Sequence, residues 1–97
     1  MQTTVTKTYS KRPRAVRSRL ATLDRYLAAL HDRVREKTHL LVSWQRVIDE
    51  QTAAGMPPSA FRIMKDIMGE TQTYVNEMLS EMVALHRQRV ECRVLLA

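Results

Sequence analysis

The chain has 97 residues, of which 44% are apolar and 27% charged, and a formal net charge of +6. That length allows one domain, two glycines leave no room for a glycine-rich phosphate loop, and a lone cysteine, Cys92, excludes an intrachain disulfide. No apolar run approaches the ~18 residues a membrane helix needs.

The first stretch holds the charge. Lys7, Lys11, Arg12, Arg14, Arg17 and Arg19 are basic, and no acid occurs before Asp24. The other ten basic residues are matched by all ten acids, so the rest of the chain is formally neutral. Residues 1–13 are therefore predicted to be a disordered basic arm. These six residues fit either contact with a polyanion, including DNA or RNA through phosphate neutralisation, or a targeting signal, since Lys11-Arg12-Pro13-Arg14 has the short basic pattern of nuclear import. A solvated tail is the plainer alternative. Tyr9 is the arm's one aromatic, which gives little support to base stacking. Residues 7–12, KTYSKR, resemble the Lys-Thr-Tyr-Ser-Arg type peptide of cohesin-release factors, with Lys11 where that pattern has Arg. The resemblance covers six residues. It implies a chromosomal setting and carries no site to this chain. An intracellular location is expected, the nucleus ahead of the cytoplasm.

From residue 14 the apolar pattern becomes regular. Leu20, Leu27, Val34, Leu41 and Ile48 recur every seven residues. So do Val16, Leu23, Leu30, Lys37, Trp44 and Gln51, and the two series alternate by four and three. That is a heptad seam, and no Pro or Gly interrupts 14–54. It predicts one helix over 14–54. Near its end Leu40 and Val47 widen the apolar face beyond one seam.

The segment AAGMPPSA, 53–60, breaks the pattern. Gly55 can adopt the left-handed conformation that ends a helix. Pro57 or Pro58 can open the next helix, or Ser59 can cap it. A turn over 55–58 is predicted.

A second helix is predicted over 59–95. Phe61, Met68, Val75 and Met82 form one heptad series, and Met64, Thr71, Met78, Leu85 and Cys92 the other. Ile67 and Tyr74 widen one flank; Leu79, Val83 and Val90 widen the other. Gly69 inside this helix is either a tolerated weak spot, at about 1 kcal/mol relative to Ala, or a point of close backbone approach. The methionines either fill a core or make an adaptable docking surface.

Two helices of similar length and a short turn predict an all-α fold: an antiparallel, coiled-coil-like helical hairpin over 14–97. Folding about residues 56–57 sets Lys37 near Glu77, Arg33 near Glu81 and Arg46 near Asp66, which predicts cross-helix ion pairs. His31, His39 and His86 are scattered and form no metal set with Cys92. No catalytic residues, metal, cofactor or small-molecule substrate are expected, so the chain is read as non-enzymatic. A hairpin of this size is marginal alone, and its apolar stripes exceed what one seam covers. The expected function is an interaction protein, a small subunit or adaptor that assembles with other helices or with itself. Leu41, Trp44, Ile48, Phe61, Met64 and Met68, near the turn, are the candidate partner-binding residues. In the alternative, the arm binds nucleic acid and the hairpin dimerises.

Overall fold

The computed structural model describes residues 13–97. The fold is all-α: helix α1 spans Pro13–Ala53, a single 3-10 turn spans Pro58–Phe61, and helix α2 spans Arg62–Leu96. These bounds lie within a residue of the predicted ones, except that the predicted start of the second helix is a 3-10 turn. The two helices pack as an antiparallel hairpin. Lys7, Lys11 and Arg12, with the rest of the expected arm up to Arg12, lie outside the described residues.

The helix α1 terminus shows why the chain reverses here. Gly55 has φ 99°, a conformation that costs a Cβ-bearing residue dearly and glycine little. Its N–H donates to the Thr52 carbonyl at 3.0 Å, and the Met56 N–H donates to the Gln51 carbonyl at 3.0 Å. This pair of bonds satisfies carbonyls that the helix end would otherwise leave bare. Pro57 is extended, at φ −74° and ψ 151°, and Pro58 opens the 3-10 turn, whose cap makes no side-chain hydrogen bond. The possible Ser59 cap is thus not the one used. Ser59 sits inside the turn, and its carbonyl accepts from the Arg62 N–H.

The hairpin divides into two compact units. One brings the start of α1, up to Leu30, against Glu81–Ala97; the other is His31–Ser80, which contains the turn. In the first unit Val16, Leu23 and Cys92 form the buried core, and Leu20, Leu85 and Leu96 pack against it. Leu23 is 1% exposed. Polar links flank this core. The Arg19 guanidinium donates to Gln88 Oε1 at 2.7 Å, and Arg89 Nε donates to Asp24 Oδ1 at 2.6 Å. In the turn unit Ile48, Phe61, Val75 and Met78 are buried.

Burial follows the two heptad series on both helices. Each predicted seam residue is buried or half-buried, Lys37 included, except Gln51, which is exposed in the last turn of α1. The predicted ion pairs of Lys37 with Glu77 and of Arg46 with Asp66 do not form. Lys37 instead lies 4.0 Å from Glu36 on its own helix. An exposed cross-helix pair gains too little, about 0–1 kcal/mol, to hold two long side chains in one geometry.

Candidate interaction surface

The six residues expected to bind a partner fall on the hairpin's own seam. Ile48 and Phe61 are each 6% exposed. Leu41, Trp44, Met64 and Met68 are half-buried. Their first task is therefore to hold α1 and α2 together beside the turn. A heptad pattern marks the seam facing the nearest helix, and here that helix belongs to the same chain.

The apolar side chains left in solvent lie beside the seam. In the turn unit the geometry is simple. Residues one before and one after a seam position project about 100° to either side of it. Val42 follows Leu41, and Gly69 follows Met68; both line one shallow groove with Thr38, Gln45, Gln72 and Leu79. The residues preceding seam positions lie on the opposite face. On α1 these are Leu40 and Val47; on α2 they are Ile67 and Tyr74, with Ile63 one turn earlier. Ile63 is 75% exposed, and Val47, Ile67 and Tyr74 are each exposed by 40% or more. Leu40 is half-buried. One face of the turn unit is thus apolar on both helices, and the other is mixed, with amides and a bare glycine.

Gly69 sits in the mixed groove, where an added Cβ would meet nothing within 4 Å. Close approach of α1 is therefore not the reason for glycine at this position.

The open-end unit has its own exposed apolar row on α2. Val83, Val90 and Val94 are spaced by seven and four and are each 59% exposed or more. A second groove in this unit is lined by Val16, Arg19, Gln88, Glu91, Cys92 and Leu95. Arg14 and Arg17 are exposed on the first turns of α1. Arg19 is exposed too, but its guanidinium is already engaged by Gln88. Of the six basic candidates, these three can be placed, and they sit on helix.

Ile67, Tyr74, Leu79, Val83 and Val90 were visible as a widened stripe. Ile63 and Val94 were missed although each lies four residues from a flank residue already noted, Ile67 and Val90, and Val42 was missed as a single apolar residue beside the seam. Among the described residues no three His, Cys, Asp or Glu side chains gather as a metal site would require. No helix among them is long and apolar enough to cross a membrane.

Comparison with protein-family models, curated proteins and solved structures returns no match.

Proposed function

We propose that this chain is a non-enzymatic interaction protein, a small subunit or adaptor whose helical hairpin docks against further helices. The observation that carries the reading is the exposed apolar face of the turn unit, shared by α1 and α2. Contiguous exposed apolar area on a small domain favours association. A two-helix hairpin gains most from cover, because its single seam buries little surface. Seam residues Leu41, Trp44, Ile48, Phe61, Met64 and Met68 hold this face in shape, and Leu40, Val47, Ile63, Ile67 and Tyr74 present it. The basic N-terminal residues act separately, through contact with a polyanion or a transport receptor, in a nuclear setting.

Size in extract tests this reading. The tagged chain, run through gel filtration in extract of its native cells, is expected to elute well above monomer size. The double variant Val47→Asp/Ile67→Asp is expected to move to monomer size with unchanged helix content by circular dichroism. A wild-type chain at monomer size, or a variant in the same large fraction, overturns it.

A second reading has the arm as the main binding element, on nucleic acid, with the hairpin as a dimeriser. It is favoured by the acid-free run of six cations before Asp24 and by exposed Arg14 and Arg17 at the start of α1. Removing residues 1–12 then abolishes function while the hairpin assembly persists.

A further inference from the structure

The chemistry of the partner can be read from the rim of the apolar face in the turn unit. On α1, Glu36 lies one turn before Leu40, and Glu50 lies one turn after Val47. On α2, Glu70 falls between Ile67 and Tyr74, and Glu77 lies one turn beyond Tyr74. All four are exposed. Glu50, Glu70 and Glu77 join no ion pair among the described residues, and Glu36 has only Lys37, at 4.0 Å. One cation, Arg33, shares this face. Arg46 and Asp66 lie on the outer sides of their helices, opposite the seam. An apolar centre is thus framed by four carboxylates, on a chain whose overall charge is +6.

Charge decides between two occupants. Both rims of the face are acidic. A two-fold operation that brings the face onto itself therefore sets carboxylate against carboxylate, whichever helix meets which. Like charges placed across an interface disfavour it. A helix with basic residues on both sides of its apolar stripe makes the opposite match: its stripe covers Leu40, Val47, Ile67 and Tyr74 while its cations meet the acidic rims. Helix-in-groove docking of this kind reads anchors at helical spacing.

We propose that this face receives a cationic amphipathic helix from another protein. The inference rests on the docking reading above and adds the partner's chemistry to it.

The probes are two synthetic helices of about three heptads with leucine at the core positions. One carries lysine at the flanking positions and the other glutamate. Binding to the full-length protein is followed by fluorescence anisotropy. The lysine helix is expected to bind about tenfold or more tighter, with the difference shrinking as salt rises. The protein's own positive charge works against this outcome, so it reports the local face. Glu70→Lys/Glu77→Lys is expected to remove the preference, and Ile67→Asp to weaken the lysine helix without loss of helix content. Equal affinity for both helices, or a tighter glutamate helix, overturns the cationic partner and leaves the docking reading standing. Binding of neither overturns both at this face. Self-association of the full chain that Ile67→Asp abolishes would put a second copy there, and overturns the cationic partner alone.

Discussion

Arg89 occupies a heptad seam position of α2, and its guanidinium turns aside to meet the Asp24 carboxylate on α1 at 2.6 Å. A charged residue thus replaces an apolar one in the seam and is held by an acid at its edge. Lys37 interrupts the seam of α1 in the same way, but without a cross-helix acid. The two interruptions are expected to differ on substitution.

Asp24→Ala removes the partner of a side chain that is 33% exposed, and it is expected to cost about 1 kcal/mol or less, given the remaining solvent screening. Lys37→Leu loses no cross-helix pair and buries new apolar area. It is expected to gain about 1 kcal/mol. Urea melts monitored by circular dichroism check both signs. A destabilised Lys37→Leu chain would mean that the lysine is held by something other than Glu36.

The two glycines are expected to respond oppositely to alanine. Gly55→Ala forces a Cβ into φ 99° and is expected to lower stability by about 1 kcal/mol or more. Gly69→Ala adds a Cβ into open space within α2 and is expected to raise it by about 1 kcal/mol. Thermal melts of the two variants decide the matter. A destabilising Gly69→Ala would show that some group closes on that groove.

Leu23, 1% exposed, anchors the core of the open-end unit. Leu23→Ala is expected to cost about 2–5 kcal/mol, enough to abolish cooperative unfolding in a hairpin of marginal stability. A variant that melts like the parent would mean that this unit contributes little to the fold.

Where the arm ends matters for truncation. Val16 is 3% exposed and belongs to the core with Leu23 and Cys92. Removing residues 1–12 is expected to leave the melting temperature within a few degrees. Removing 1–19 takes Val16 and Arg19 as well and is expected to cost roughly 2 kcal/mol. Equal losses for both truncations would mean that residues 1–12 support the fold.

Much of the architecture was legible in the sequence, for a physical reason. Val16, Leu23 and Leu30 repeat at seven alongside Leu20, Leu27 and Val34. A regular repeat in a helix is a direct image of the surface it buries. Gly55 marked the reversal because few other residues tolerate φ 99°, and the two prolines because neither can continue the incoming helix. The ion pairs were not legible. Spacing shows that Lys37 and Glu77 can come near, yet Glu77 stays exposed to solvent and Lys37 lies by Glu36 on its own helix. The exposed apolar face lies one position away from the seam. Leu41 and Ile48 belong to the strongest pattern, and the chain uses them internally. Their neighbours Leu40 and Val47 are left to face outward. Telling these roles apart requires knowing which helix fills the seam, and that is a tertiary fact.

The most direct test of the account is site-specific photo-crosslinking in the native cell. A photoreactive residue replaces Ile67, on the exposed apolar face, or Thr73, on the outer side of the same helix. A discrete higher-mass adduct is expected from position 67 and none from position 73. Adducts of equal strength from both, or none from position 67, would contradict it.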